Sequence, residues 1–77
     1  MIPVIPKGVY RHSKTGNRYL VLGIALQTES QENLVIYQPL YSADYEYFAR
    51  PYTMFTEMVE ISGVMKPRFE YLGPQEV

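Results

Sequence analysis

The stretch Arg18-Tyr19-Leu20-Val21-Leu22-Gly23-Ile24-Ala25-Leu26-Gln27-Thr28 decides the fold class. Read as a strand, it puts Leu20, Leu22, Ile24 and Leu26 on one face and Tyr19, Val21, Gly23, Ala25 and Gln27 on the other. The first face is the expected core. The second is also apolar but becomes small at Gly23 and Ala25, which predicts a bend or the close approach of another backbone there.

Upstream, Gly8-Val9-Tyr10-Arg11-His12 is short and β-prone, and Ser13-Lys14-Thr15-Gly16-Asn17 has turn chemistry, so the two segments predict a hairpin. Downstream, Glu29 to Asn33 is a polar connector and Leu34-Val35-Ile36-Tyr37-Gln38-Pro39-Leu40-Tyr41 reads as a partner strand. Pro39 has no N–H and marks an edge or a strand end. Ser42 to Glu46 reads as a loop that enters a short strand, Tyr47 to Arg50, and Pro51 stops it.

Two readings compete between Pro51 and Ile61. Pro51 can open a helix whose inward face holds Met54, Phe55 and Met58. The alternative is one 3₁₀ turn over Tyr52 to Phe55 followed by a strand, Thr56 to Ile61. The strand reading is preferred, because Ser62-Gly63 would cut a helix to barely three turns. A last edge strand, Arg68 to Leu72, follows Pro67. These elements predict a mostly β fold: a small antiparallel β-barrel or strongly bent sheet, SH3-like, with one short helical turn before a late strand.

At 77 residues the chain is read as a single domain, with residues 1–7 and 73–77 as tails. A chain this short must bury apolar surface efficiently, and its 47% hydrophobic residues, with eight tyrosines and three phenylalanines, argue against disorder. There is no cysteine, so disulfides and thiolate metal sites are excluded and a reducing, cytoplasmic setting is expected. No segment has the pattern of a signal peptide or the length of a membrane span. The formal net charge of −1 gives no global field toward nucleic acid or anionic lipid. Four of the seven basic residues nevertheless lie with the only histidine between positions 7 and 18, which makes the first hairpin the only candidate basic surface.

Several blocks together resemble a known family: Gly8-x-Tyr10-x-His12; Gly16-x-x-Tyr19-x-Val21-Leu22-Gly23-x-Ala25; Glu32-x-Leu34-Val35-x-Tyr37-x-x-Leu40-Tyr41; Arg50-Pro51-x-x-Met54-Phe55-x-Glu57-x-Val59; and Pro67-Arg68-Phe69. They are similar to the bacterial and phage domain of unknown function numbered 1653. The family typically has tryptophan two residues before its arginine, and here Phe48 stands in that place. The resemblance implies a compact β-rich bacterial domain and no settled activity.

Function has to be argued from individual residues. His12 has a reference pKa suited to proton transfer, but on a strand it faces away from Ser13, so the adjacent nucleophile pairing fails on geometry. It shares a face with Tyr10, and its bland role is a half-buried imidazole hydrogen-bonded to a neighbouring strand or to Tyr10. One histidine and scattered carboxylates offer no metal-ligand spacing; no metal and no cofactor are expected. Arg50 is held extended by Pro51, beside Tyr47, Phe48 and Tyr52. Those rings can stack on the guanidinium while its donor fork takes an external carboxylate or phosphate, or takes Glu57 internally. The internal pair is the favoured reading, because an arginine near a core is normally paired.

Tyr37, Tyr41, Tyr45, Tyr47, Phe48 and Tyr52 fall within sixteen residues and cannot all be interior. They predict either a recognition patch or half-buried strand tyrosines with hydroxyls in water. The leading functional expectation is a non-catalytic binding module. It uses Arg50 with Tyr10, His12, Tyr37, Tyr41, Tyr47, Phe48, Tyr52 and Glu57, toward a protein partner or a second copy of the chain. One alternative is a single-stranded nucleic-acid binder using Arg11, Lys14 and Arg18. Another is a small enzyme in which His12, Tyr10 and Glu57 surround an anionic substrate held by Arg50. No membrane association is expected.

Overall fold

The structure, a computed structural model, describes residues 2–75. Its seven strands are β1 (Gly8–His12), β2 (Arg18–Gln27), β3 (Glu32–Pro39), β4 (Phe48–Pro51), β5 (Met58–Ile61), β6 (Val64–Pro67) and β7 (Phe69–Gly73), and one helical turn, α1 (Tyr52–Phe55), precedes β5. They form two antiparallel sheets, a five-stranded one in the order β4-β3-β2-β1-β7 and a two-stranded one of β5 and β6. The fold is mostly β, as the sequence predicts, but the sheet does not close into a barrel, because β4 and β7 remain its two edges.

The predicted first hairpin forms over its turn residues, with the Gly16 N–H donating to the His12 carbonyl at 2.7 Å and the His12 N–H to that of Asn17 at 2.8 Å. Between Pro51 and Ile61 the chain takes the turn-plus-strand path, although the turn is α rather than 3₁₀ and the strand begins at Met58 rather than Thr56. Pro51 is extended (φ −52°, ψ 138°) and ends β4; Tyr52 to Phe55 make a single turn; the Thr56 N–H and hydroxyl both donate to the Tyr52 carbonyl, at 3.0 and 2.8 Å.

The expected core face of β2 is reversed over its first half. Tyr19 and Val21 are buried, with Val21 1% exposed, whereas Leu22 is 39% exposed. Leu22 is the extra residue of a β-bulge, since Val21 pairs with Tyr37 and Gly23 with Ile36. An inserted residue advances the alternation by one, so Ile24, of the other parity, packs against the core beyond the bulge. The bend expected at Gly23 therefore exists, and it changes which side chains face inward.

Strand β6 was not anticipated. Ser62 (φ 52°) and Gly63 (φ 80°) both have positive φ, as a two-residue type I′ turn requires, and they join Ile61 directly to its partner Val64. The other demanding glycine is Gly8 (φ 143°), where an added Cβ would strike the Gly73 carbonyl and Pro74. That glycine lets β1 and β7 close against each other.

The core is largely aromatic. Tyr10, Tyr19, Val21, Val35, Tyr37, Phe55 and Phe69 are buried, with Ile5, Ile24, Phe48 and Tyr52 packed against them. Phe69 stacks on Phe55 with centroids 4.1 Å apart and planes 5° from parallel, joining the last strand to α1. The segment before β1, expected as a tail, is tied to the body: the Tyr10 hydroxyl donates to the Pro6 carbonyl at 2.7 Å, and the Tyr52 hydroxyl to that of Val4 at 3.5 Å. Met1, Glu76 and Val77, at the ends of the expected tails, lie outside the described residues.

The reversed face has a direct test. Phe55→Ala is expected to destabilise the domain by about 3–5 kcal/mol, as truncation of a buried aromatic does. Leu22→Ala is expected to cost under about 1 kcal/mol, as at partly exposed positions. Urea midpoints of the two variants check this; a larger loss for Leu22 would restore the face expected from alternation.

Candidate functional site

Strand β4 presents Phe48 and Arg50 on the same face, two residues apart, with exposed Ala49 between them. Both side chains reach a cleft of about 530 Å³ whose floor is made by Tyr19, Tyr37 and Phe69 and whose rim carries His12, Thr15, Tyr47 and Met54. His12 and Arg50, from strands at different places in the sheet, thus line one concavity.

Arg50 is held at three points. Its backbone sits in β4 opposite Val35, its Nε donates to the Tyr37 hydroxyl at 3.3 Å, and its guanidinium carbon lies 5.4 Å from the centre of the Phe69 ring. Among the described residues no carboxylate pairs with it. The internal pair expected with Glu57 does not form, because Glu57 accepts from Arg68 instead, through Nε at 3.0 Å and through a second, shorter contact from the terminal Nη2. The backbone reinforces this choice: the Arg68 N–H donates to the Glu57 carbonyl at 2.9 Å. The hairpin register explains it, since Met58 pairs with Pro67 and one further step sets Glu57 opposite Arg68. Reading Ser62-Gly63 as a two-residue turn would have revealed that partner.

His12 is fixed by its neighbours on both sides. Phe69 meets its ring edge-on at 4.9 Å, and the Thr15 N–H donates weakly to Nδ1 at 3.4 Å, which leaves the hydrogen of the neutral ring on Nε2. Desolvation lowers its pKa below the usual histidine value, and the nearby cations Arg50, Arg68 and Lys14 lower it further. Both effects favour the neutral imidazole over the protonated one.

Of the residues expected to bind, the fold brings Arg50, His12, Tyr37, Tyr47 and Phe48 to the cleft. Tyr41 stands beside it, its hydroxyl 3.0 Å from that of Tyr19. Tyr10 and Tyr52 face a separate, smaller hollow with Val4, Ile5 and Pro6, and Glu57 is engaged by Arg68. The alternative nucleic-acid trio is divided: Arg11 is paired with Glu70 at 2.7 Å, while Lys14 and Arg18 are exposed. Sequence reasoning did not assign Tyr19, Met54 or Phe69 to the site. The block Pro67-Arg68-Phe69 was the available signal for Phe69, but only the return of β7 beside β1 carries that ring under Arg50.

Comparison with known proteins follows the same outline. The model of the family described as a protein of unknown function, DUF1653, matches residues 8–71. The chain belongs to this family. The crystal structure of a protein belonging to DUF1653 from Bordetella bronchiseptica is similar to it at 36% identity and a TM-score of 0.86, over 95% of this chain and 94% of that one. No curated protein matches the sequence. Among the described residues no helix is long and apolar enough to cross a membrane, and no group of three His, Asp or Glu side chains is arranged to hold a metal ion.

Two consequences of these arrangements in this DUF1653 domain are measurable. Burial pushes the Tyr10 and Tyr19 phenols up to about 12, with help from Tyr71 and Tyr52 at Tyr10 and from Tyr41 at Tyr19. A folded-state pKa above the unfolded value of about 10 means that this stability is complete below that pH and is lost as pH rises toward 12. Urea denaturation should show the loss over that interval, and Tyr19→Phe should reduce it; an unchanged profile would place the Tyr19 hydroxyl in water. Second, Glu57→Gln and Arg68→Lys should each destabilise the fold, and their double mutant should cost less than the sum by about 0.5–1 kcal/mol, the scale of a part-exposed pair. Strict additivity would dissolve the pair.

Proposed function

We propose that the domain is a non-catalytic binding module of the bacterial cytoplasm. It receives a protein partner, another chain or a second copy of itself, in the ring-lined cleft centred on Arg50. The observation that carries this reading is the state of Arg50. The side chain is half-buried and positioned by strand, phenol and ring, yet its terminal nitrogens meet no carboxylate among the described residues. A cation held beside a core without its counter-charge is a cost to the fold, and that cost is relieved when a partner supplies the acceptor.

The surroundings support the same reading. Tyr47, on the cleft lining, is 54% exposed, and an exposed aromatic ring there is as expected of an interface rich in aromatic residues. The sheet order, with the last strand returning beside the first after a helical turn, supports an SH3-like description in an open rather than closed form, a frame suited to binding extended chains in a ring-lined groove. An enzyme reading retains His12 and Arg50 in one cleft, but Tyr10 and Glu57, which it also requires, sit elsewhere. The binding reading needs neither.

Capture by cross-linking from cells, with sedimentation velocity for self-association, tests the proposal on the wild type, Arg50→Lys, Tyr47→Ala and the distal control Lys66→Ala. Arg50→Lys should keep the fold, losing under about 2 kcal/mol, while capture or self-association fails; Tyr47→Ala should weaken it, and the control should not. Retained association in Arg50→Lys would remove Arg50 from the interface. A steep loss of association with salt would instead point to phosphate contacts of the exposed hairpin cations.

A further inference from the structure

The cleft itself limits what its ligand is. Its volume, about 530 Å³, far exceeds what a bare inorganic anion occupies, and its walls combine the ring faces and edges of Tyr19, Tyr37, Phe48 and Phe69 with hydroxyls and the two nitrogen-bearing side chains. The nitrogen donors at the cleft are those of Arg50 and His12, and among the described residues no carboxylate lines it to compete for them. Arg50 uses Nε on Tyr37, so its two terminal nitrogens are available as a fork. His12 uses Nδ1 on Thr15, so Nε2 remains as its donor. Phe48 is half-buried and packed at 5.8 Å from Tyr37, while Tyr47 stands exposed at the mouth.

We infer that the cleft recognises an aromatic oxyanion: a carboxylate or phosphate gripped by the Arg50 fork and the His12 imidazole, with the attached ring received by Tyr47 and Phe48. This deepens the binding reading proposed above and rests on it. On a protein partner the same chemistry comes from a chain ending in an aromatic residue or from a phosphorylated tyrosine. The ring supplies stacking and edge contacts, and the oxyanion supplies the charge that Arg50 lacks.

His12 adds a pH dependence with a definite sign. Among the described residues the charged groups that act on it without a partner of their own are cations: Arg50 from β4 and Lys14 from the turn. Arg68, ahead of β7, also acts on it but is engaged by Glu57, and Glu70 of β7 is engaged by Arg11. An oxyanion in the cleft reverses the sign of that field, so His12 binds a proton more readily in the complex than in the free domain. By linkage the ligand must bind more tightly as pH falls through the His12 range.

The test is an NMR titration of the isotope-labelled full chain with N-acetylphenylalanine, N-acetylphenylalanine amide and phenyl phosphate. The two oxyanions should bind in the millimolar range and shift the amides of His12, Ala49, Arg50 and Phe69, whereas the neutral amide should bind at least about tenfold more weakly. The stronger of the two oxyanions identifies the source, terminal carboxylate or phosphotyrosine. Arg50→Lys should weaken both by about tenfold or more. Between about pH 8 and pH 5.5, where the carboxylate of the first probe stays ionised, its affinity should rise in the wild type and stay flat in His12→Gln.

Equal binding of the acid and its amide, no saturation by either oxyanion, or wild-type affinity in Arg50→Lys would overturn the inference. A pH profile unchanged by His12→Gln would overturn the histidine's part in it. If the probes fail while cellular capture or self-association still depends on Arg50, the partner brings a neutral group and only this inference falls. Loss of both takes the binding reading with it.

Discussion

The contact on which the rest of the structure depends is the stacking of Phe69 on Phe55. The five-stranded sheet has its ends at β4 and β7, and the chain between them runs through α1 and the β5–β6 hairpin. Backbone ladders hold β7 only to β1, so side chains have to connect the returning strand to the opposite end of the sheet. The parallel stack at 4.1 Å does this, and Tyr37 and Tyr19 then meet the Phe69 ring at 5.5 and 5.7 Å. One ring thus gathers side chains from β2, β3 and α1. The same ring faces His12 and lies beneath Arg50, so the floor of the cleft and the centre of the core are one object.

A second constraint determines what the cleft can do. Arg50 and Arg68 are both candidates for the Glu57 carboxylate, and only Arg68 has it. The hairpin register gives Glu57 to Arg68, and their mutual backbone hydrogen bond makes the assignment part of the fold rather than of side-chain choice. Arg50 is left without an acidic partner among the described residues. Its charge also helps keep His12 neutral. The unpaired state of Arg50 therefore follows from a two-residue turn some dozen positions away in sequence.

What the sequence could disclose follows the range of the interactions involved. The first hairpin, the stop at Pro51, the single helical turn and the last strand were legible, because each rests on residues adjacent in the chain. Family resemblance was legible for the same reason, in blocks from Gly8 to Phe69. The inward face of β2 was not. Both faces of Tyr19 to Leu26 are apolar, so alternation could not choose between them, and the bulge at Leu22 changes the phase midway. The β5–β6 hairpin was missed because Ser62-Gly63 was read as a breaker rather than as the turn that its positive φ angles make. That single omission also concealed the partner of Glu57. At the site, Arg50 and its flanking rings were identifiable from local sequence, while Tyr19 and Phe69 were not, since long-range strand pairing alone brings them there.

The economy of so small a chain explains why core and cleft share their rings. With no cysteine to staple it and room for only one core, the domain needs large buried side chains, and tyrosine meets that need while keeping a polar end for the surface. Tyr37 illustrates both uses: its ring is 4% exposed in the core, and its hydroxyl accepts from Arg50 at the cleft. Such sharing ties recognition to stability. A change that loosens the stack beneath Arg50 alters the aim of its fork as well as the packing of the sheet, whereas a change at the exposed rim, at Tyr47, leaves the core rings in place. The part of the cleft free to vary in ligand preference is therefore the rim, and the part that fixes charge and geometry is the part the fold cannot give up.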